Sequence, residues 1–230
     1  HGTDTLVVDH FNQKKQTNLL GGVTEVFTDG DQGKAEITFV AGGKDGKGHA
    51  LGFNYDVSQT NSFVGYNTDL KIMDLRDYQQ LSFAIKDGEP EQGLSVGLKD
   101  RNGNEQKVKL ANFISAGLIN QWQTVNIPLV AFSNDMDWSA VNSLSLSIQH
   151  GNSGEGAVLI DDITFNKKLS GFALASFEDE NGNGKLDFFF FIPKEPAGFY
   201  QFSGMGAPKF DKMKIDVDKD IDNIEIVFNL

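Results

Sequence analysis

The chain of 230 residues contains no cysteine and only four histidines, and it has no long apolar run. Without cysteine it forms neither disulfides nor thiolate metal sites. The histidines do not show a metal-binding spacing such as H-E-x-x-H, and no G-x-S-x-G nucleophile motif occurs. No apolar run approaches the roughly 18 residues of a membrane-spanning helix. These absences argue against an enzyme and against a transmembrane segment.

Basic residues are also scarce: 20 Lys and Arg stand against 32 Asp and Glu, for a net charge of −12. A nucleic-acid partner is therefore not expected, because the phosphate backbone requires a cationic surface. The chain begins at His1 rather than methionine. A removed signal peptide would explain that start, and so would a boundary chosen within a longer chain. We predict a secreted, extracellular or cell-surface protein.

Glycine is abundant, with 25 residues, and alternation of apolar and polar residues dominates the first 165 positions. Alternation with a period of two predicts half-buried strands, and glycine- and asparagine-rich turns separate them. Eight strands are predicted, at residues 35–40, 50–57, 80–86, 94–99, 106–110, 122–127, 143–149 and 157–165. Short helical pieces are predicted near 110–116 and 129–132. This number of strands suits an all-β jelly-roll β-sandwich, with a hinge at 166–168.

Further along, one acidic loop has the ligand order of a calcium site. Oxygen-bearing side chains alternate along the loop, and glycine stands at the sixth position, where a sharp turn is needed. Phe190 occupies the place of the bidentate glutamate of an EF-hand, so a calcium-bound β-loop is predicted instead. An Asx-rich turn would use the same residues. The predicted calcium ligands are Asp179, Asn181, Asn183, Asp187 and the backbone carbonyl of Lys185.

The loop and the Ile192-Pro193-Lys194-Glu195-Pro196 and Gly198-Phe199 segments resemble a family of secreted bacterial β-sandwich domains of unknown function. The resemblance covers about residues 170–230 and only the second half of that family's domain. It implies a small Ig- or transthyretin-like β unit at 168–230. The unit is incomplete unless it closes its own smaller sheet, packs on residues 1–167, or borrows a strand from another molecule.

Residues 5–166 resemble the galactose-binding-like jelly rolls of family 11 carbohydrate-binding modules and of complex I intermediate-associated proteins, which implies a jelly-roll domain at 1–167. The motifs are Val8-Asp9-His10-Phe11, Leu75-Arg76-Asp77-Tyr78, residues 122–129 with Phe132, Asp137-Trp138 and Ile160-Asp161-Asp162-Ile163-Thr164-Phe165. In that fold the first and last strands are neighbours. The resemblance therefore implies a structural calcium held by Asp9 and Asp162. Alternatively, these carboxylates cap strand ends or face solvent.

A glycan site in such a module is expected on the polar face of a sheet. Alternation assigns Ser82, Ala84, Lys86, Ser95, Gly97, Lys99, Ser145, Ser147 and Gln149 to polar faces. No aromatic residue is predicted at the centre of that surface, and Trp122 and Trp138 lie in fold-defining motifs and are predicted to be in the core. The candidate glycan contacts are Tyr55, Tyr66, Gln149 and His150.

Two functions follow. The first is a non-catalytic secreted surface or matrix protein that binds a polysaccharide or surface glycan through a carbohydrate-binding-module-like domain, with calcium as its cofactor. The second is a structural subunit that self-assembles as a homo-oligomer or polymer into an extracellular filament or surface array by exchanging β-strands. The missing aromatic platform favours the second.

Overall fold

The computed structural model describes residues 4–29, 32–86, 93–114, 120–132, 135–151 and 154–167, and the backbone of five short strands beyond them. The chain divides into two compact units, residues 1–168 and 169–230. All strand pairs in both units are antiparallel within the described residues.

The first unit contains eleven strands in its described residues. They are β1 (Thr5–Asp9), β2 (Thr24–Thr28), β3 (Lys34–Ala41), β4 (His49–Asp56), β5 (Phe63–Met73), β6 (Gln80–Lys86), β7 (Ser95–Asp100), β8 (Glu105–Lys109), β9 (Gln123–Pro128), β10 (Val141–Gln149) and β11 (Glu155–Asn166). Two short 3-10 helices follow β8 and β9, at Leu110–Phe113 and Leu129–Ala131.

The strands form two sheets. The six-stranded sheet has the order β3-β4-β11-β6-β9, and β1 pairs with the end of β11 beyond its pairing with β4. The five-stranded sheet has the order β2-β5-β10-β7-β8. This arrangement is a jelly-roll β-sandwich, as the alternation pattern predicts.

The core lies between the two sheets and is built from alternate residues of each strand. Val64, Tyr66 and Leu70 of β5 and Leu146 of β10 point inward and are almost completely buried. The residues between them point to the opposite, outer face of the five-stranded sheet, because successive side chains of a strand alternate. That outer face carries the candidate site described below.

The eight predicted strands all form, with ends shifted by one or two residues, and the helical pieces are the two 3-10 helices. The alternation analysis missed three strands, β1, β2 and β5. Gly65 interrupts the alternation of β5, and β2 is only five residues long. The omission of β2 and β5 matters because both strands belong to the sheet that carries the candidate site.

The second unit contains five short strands whose backbone is described. They are β12 (Ala175–Phe177), β13 (Phe188–Phe189), β14 (Ile192–Pro193), β15 (Ala197–Phe199) and β16 (Phe228–Asn229). β15 pairs with both β12 and β16, and β13 pairs with β14. The predicted calcium loop at 179–187 lies outside the described residues.

Candidate functional site

The outer face of the five-stranded sheet carries two aromatic rings side by side. Phe27 of β2 and Phe63 of β5 have ring centroids 5.5 Å apart and are both partly exposed. Phe27 lies directly across Gly65 of β5, its register partner, where there is no side chain to hold the ring off the sheet. The two rings, whose planes are tilted by 44° to each other, therefore form an apolar surface at one side of the sheet.

A row of small polar side chains lies beside the rings. Ser143, Ser145 and Ser147 of β10 face the same way and are 7%, 6% and 2% exposed. On β7 the neighbouring positions are Ser95 and Gly97, in register with Ser147 and Ser145. The small side chains keep the floor of the sheet low between the rings and the far strand, β8.

Part of this surface, around Phe63, Ser95 and Ser147, lines a groove of about 190 Å³. We call this space the outer groove. Its walls combine one aromatic ring, hydroxyl and amide groups, and two lysines. The lining residues are Phe63, Gly93, Ser95, Lys107, Lys109, Ser147, Ile148 and Gln149.

Lys107 of β8 reaches across the floor of the groove. Its ammonium nitrogen lies 5.0 Å from the centroid of the Phe63 ring and 3.3 Å from Glu105 Oε2. The first distance is that of a cation–π contact. The side chains of Glu105 and Lys107 also lie over Gly97 and close to the Ser145 hydroxyl. Lys107 thus joins the polar and aromatic sides of the groove.

Of the four predicted glycan contacts, Gln149 lies in the outer groove, at the end of β10 and in register with Phe63. His150 follows it and is exposed. The amide of His150 donates to the Ser62 carbonyl at 2.8 Å, and its Nδ1 lies 3.0 Å from the Val57 carbonyl. His150 is therefore held against the β4–β5 connection and does not line the groove.

The two tyrosines occupy different places. Tyr66 is 1% exposed and points into the core, where burial raises the pKa of its hydroxyl. Tyr55 is 3% exposed, packs its ring 5.5 Å from Phe53, and belongs to the six-stranded sheet. The burial of Tyr66 corrects the expectation that it edges a glycan site. Tyr55 does not reach the outer groove, but it lines a separate depression on the six-stranded sheet. Strand parity explains Tyr66, since even-numbered residues of β5 face inward.

The predicted polar surface also needs two corrections. Ser82, Ala84 and Lys86 belong to β6, which lies in the other sheet, so they do not extend the face formed by β7 and β10. Sequence reasoning also missed the aromatic residues of this face, Phe27 and Phe63. The apolar series Val64, Tyr66 and Leu70 could have revealed Phe63. These even-numbered residues face the core, so the odd-numbered Phe63 must lie on the outer face of the sheet.

The tryptophans are only partly buried. Trp138 packs against the core and meets Phe132 in an edge-to-face contact with centroids 6.5 Å apart. Trp122 is half-buried just before β9. Neither residue is among those that line the outer groove.

A separate acidic cluster lies where β1 meets β11. Asp9 is 4% exposed, and its register partner is Ile163, the neighbour of Asp162. The buried carboxylate of β11 is Asp161, 6% exposed, whereas the half-exposed Asp162 carboxylate lies 3.9 Å from the Lys44 ammonium. The structure therefore places Asp161, not Asp162, beside Asp9 as the second buried acid.

Burial raises the pKa of both buried carboxyls. The charge of Asp161 raises the pKa of Asp9 further, and the charge of Asp162 raises that of Asp161. Hydrogen bonds act in the opposite direction: Asp9 accepts from the Phe11 amide, and Asp161 accepts from the Lys44 and Asp162 amides, each at 2.8 Å. Two buried like charges are costly unless a cation or protons neutralise them.

Three oxygens converge beside Gly43. A Cβ at that position would lie 2.5 Å from Asp161 Oδ2, 2.8 Å from the Lys47 carbonyl and 3.3 Å from the His49 carbonyl. Carboxylate and carbonyl oxygens suit calcium, which takes six to eight oxygens. In the described part of the chain, however, no group of three or more His, Asp or Glu side chains is arranged to hold a metal. The donors present fit calcium only if backbone carbonyls and water complete its shell.

Comparison with known protein families identifies this fold. The sequence model of Carbohydrate binding domain 30 matches residues 10–167. The chain belongs to this family. The match covers the sandwich of the first unit from the end of β1 to the end of β11, including every strand of the outer groove.

Solved structures agree on the fold. The chain is similar to a family 11 carbohydrate-binding module from Clostridium thermocellum in complex with a β-1,3-1,4-mixed-linked tetrasaccharide, at 18% identity and a TM-score of 0.54, over 72% of this chain and 96% of that one. It is also similar to the family 30 module of the cellulosomal cellulase Cel9D-Cel44B of the same organism, at 20% identity and a TM-score of 0.51, over 63% and 91%.

A third similar structure is a β-1,2-glucanase from Parabacteroides distasonis, at 13% identity and a TM-score of 0.52, over 67% of this chain but 24% of the glucanase. A second sequence model, of an uncharacterized protein conserved in bacteria, matches residues 130–225. The search of curated proteins found no relative. The described residues contain no helix that is long and apolar enough to cross a membrane.

Proposed function

We propose that this carbohydrate-binding domain is non-catalytic and holds a polysaccharide chain in the outer groove. The observation that carries the proposal is the aromatic pair Phe27–Phe63 beside a floor of serines, on one sheet face of a family 30 domain. The family 11 module with the similar fold was solved with a tetrasaccharide. This likeness supports a glycan ligand without identifying the sugar.

The chemistry of the groove suits a sugar ring. The apolar C–H face of a pyranose stacks on an aromatic ring, as other flat ligands do. Its hydroxyl groups then need hydrogen-bond partners, and Gln149, Ser95 and Ser147 offer amide and hydroxyl groups along the same wall. A binding site of this kind needs no nucleophile or general acid, which is why the proposal is binding rather than hydrolysis.

Affinity electrophoresis through gels that contain a panel of neutral and charged polysaccharides tests this function. We expect the full chain to be retarded by at least one member of the panel, and Phe63→Ala to abolish most of the retardation. Val130→Ala is the matched control, because that apolar side chain is 88% exposed elsewhere on the surface. Failure of the whole panel to retard the chain would contradict the proposal, and so would equal retardation of Phe63→Ala.

Calcium is proposed as a structural ion at two places. The first is the β1–β11 junction, with Asp9 and Asp161 as carboxylate ligands and Asp162 at its edge. There it would neutralise two buried charges and fix the first strand of the sandwich to the last. The second is the 179–187 loop, with Asp179, Asn181, Asn183, Lys185 and Asp187 as ligands.

The proposal includes an extracellular location, which is the usual setting of domains that bind polysaccharides. The self-assembly alternative depended on a sheet face without an aromatic platform and on strands missing from 168–230. The structure supplies Phe27 and Phe63 on that face, and most of 168–230 lies outside the described residues. The aromatic pair on that face thus favours glycan binding, and self-assembly stays a prediction.

A further inference from the structure

Lysines are unevenly distributed over the outer face of the five-stranded sheet. Lys99 of β7 and Lys107 and Lys109 of β8 face outward on one side of the sheet, whereas Lys71 of β5, on the other side, pairs with Asp69 at 4.0 Å. The acids of the face are Glu25 on β2, Asp69 on β5 and Glu105 on β8. The β7–β8 side is therefore locally basic in a chain whose net charge is −12.

The outer groove itself has a cationic lining. Two lysines line it, and its other lining residues are neutral: Phe63, Gly93, Ser95, Ser147, Ile148 and Gln149. Glu105 pairs with Lys107, but it is not one of the lining residues. For Lys109, no carboxylate of the described residues lies within 4.0 Å of the ammonium group. The groove therefore presents positive charge next to a sugar-stacking ring.

We infer that the outer groove selects an anionic polysaccharide, one whose sugar rings carry carboxylate or sulfate groups. This inference rests on the proposed function. The Lys107 ammonium lies over Phe63, 5.0 Å from its centroid. A sugar ring that stacks on Phe63 must displace this ammonium. An anionic substituent on that ring gives the displaced cation a new partner at once.

A neutral sugar that stacks on Phe63 would lose binding energy at the same place. It would break the cation–π contact of Lys107 and offer only hydroxyl groups in return. Hydrogen bonds between ionised partners are roughly twice as strong as neutral ones. Lys109, two residues further along the same face of β8, can hold a second anionic group of the polymer. Charge recognition of this kind also weakens as salt screens it.

The test compares three polymers that share one backbone: mixed-linked β-1,3-1,4-glucan, its carboxymethyl derivative and its sulfate derivative. Isothermal titration with the full chain should give at least about tenfold tighter binding to one of the charged derivatives than to the neutral glucan. The derivative that binds more tightly distinguishes carboxylate from sulfate recognition. Raising the salt concentration should reduce this preference.

The lysine-to-methionine exchange keeps the length of the side chain and removes its charge. Lys107→Met combined with Lys109→Met should reduce the preference for the charged derivative to about twofold or less. Lys34→Met, on β3 of the other sheet, is the matched control and should leave the preference unchanged. Thermal unfolding of each variant confirms that it is folded.

The outcomes separate this inference from the proposed function. Tighter binding to the neutral glucan, lost in Phe63→Ala, would overturn the anionic preference and leave glycan binding intact. A charged preference that persists in the double lysine variant would also overturn it, because the charge would then be recognised elsewhere. Absence of binding to all three polymers and to the wider panel would contradict the proposed function as well.

Discussion

The ring of Phe27 lies across Gly65 of the neighbouring strand, so closely that a Cβ on Gly65 would overlap its outer edge. The two residues are register partners between β2 and β5. A cross-strand aromatic residue that covers a glycine protects the exposed backbone and gains contact area in return. The position of the Phe27 ring, and through it the aromatic surface beside Phe63, depends on the missing side chain at position 65.

Gly65→Ala should therefore disturb the binding surface. The new methyl group displaces Phe27 from the sheet, so we expect polysaccharide affinity to fall about tenfold, by roughly 1.4 kcal/mol. Stability should fall by about 1–3 kcal/mol, the usual cost of overpacking. Calorimetric titration and urea unfolding measure the two effects. Gly154→Ala is the control, because a Cβ there meets only Ser58 Oγ at an ordinary 3.5 Å.

Unchanged affinity in Gly65→Ala, together with the expected loss of stability, would show that the Phe27 ring plays no part in binding.

Gln149 and His150 are neighbours in the chain but differ in position, so they provide a matched pair. Gln149 lines the outer groove, whereas His150 is bonded to the backbone of Ser62 and Val57. Gln149→Ala should weaken polysaccharide binding by about fivefold or more, the loss of one or two hydrogen bonds. His150→Ala should leave affinity within about twofold. Titration of both variants checks this, and the reverse order would place the ligand at the β4–β5 connection.

Calcium should stabilise the sandwich through the β1–β11 junction. If calcium binds only the native state, its binding raises the melting temperature, with a stabilisation of about 2.7 kcal/mol at a hundredfold excess over Kd. Asp161→Asn should remove much of this shift, because it deletes the charge of one buried carboxylate. Asp77→Asn, whose carboxylate side chain is 84% exposed, is the control. Differential scanning calorimetry with calcium and with a chelator is the measurement.

The stability of Asp161→Asn in the absence of calcium provides a second test. Removing one of two repelling buried carboxylates should leave the metal-free protein as stable as the wild type or more stable at neutral pH. A loss of stability without calcium, combined with an unchanged response to calcium, would assign Asp161 a purely structural hydrogen-bonding role.

Asp100 should make stability depend on pH in the acid range. The buried carboxylate accepts hydrogen bonds from the amides of Asp137, Asn102 and Asn104 at 2.9, 2.8 and 3.0 Å, and these bonds hold its pKa at about 2. Since this pKa lies below the ordinary 3.8, the stabilisation is fully present above about pH 4 and is lost as the pH falls toward 2.

Asp100→Asn should accordingly melt at a lower temperature than the wild type at pH 7, and the difference should shrink as the pH falls from 4 to 2. Thermal unfolding monitored by circular dichroism across that range is the test, with Asp77→Asn as control. A constant difference at every pH would mean that the charge of Asp100 contributes nothing to the free energy of unfolding.

The sequence predicted the fold well because alternation is a direct consequence of half-buried strands. β6 shows that alternation over its full length and β10 shows it from Ser143 to Gln149, and the predicted jelly roll is confirmed. β5 escaped prediction because its outer positions include Phe63 and Gly65, so that apolar residues stand on both faces. The same exception created the aromatic surface of the candidate site.

Site residues were harder to predict, because a site depends on which strands become neighbours. Parity alone would have placed Tyr66 in the core once β5 was recognised. No local pattern, however, reveals that Lys107 of β8 reaches Phe63 of β5, because β10 and β7 separate these strands in the sheet. At the β1–β11 junction the bulges between Val7 and Asp9 and between Asp161 and Thr164 shift the register. The resemblance named Asp162 as the partner of Asp9, and sequence alternation cannot show which of the two adjacent aspartates is buried when bulges shift the register.

Binding of a polysaccharide chain in the outer groove is the central claim, and nuclear magnetic resonance tests it most directly. An isotope-labelled full chain is titrated with the oligosaccharide of the best-binding polymer, and amide and aromatic shifts are followed. We expect the largest changes at Phe27, Phe63, Ser147, Gln149 and Lys107. Changes confined to the other sheet, for example around Lys34, Asp56 and Glu155 where β3, β4 and β11 enclose a depression, would contradict the account.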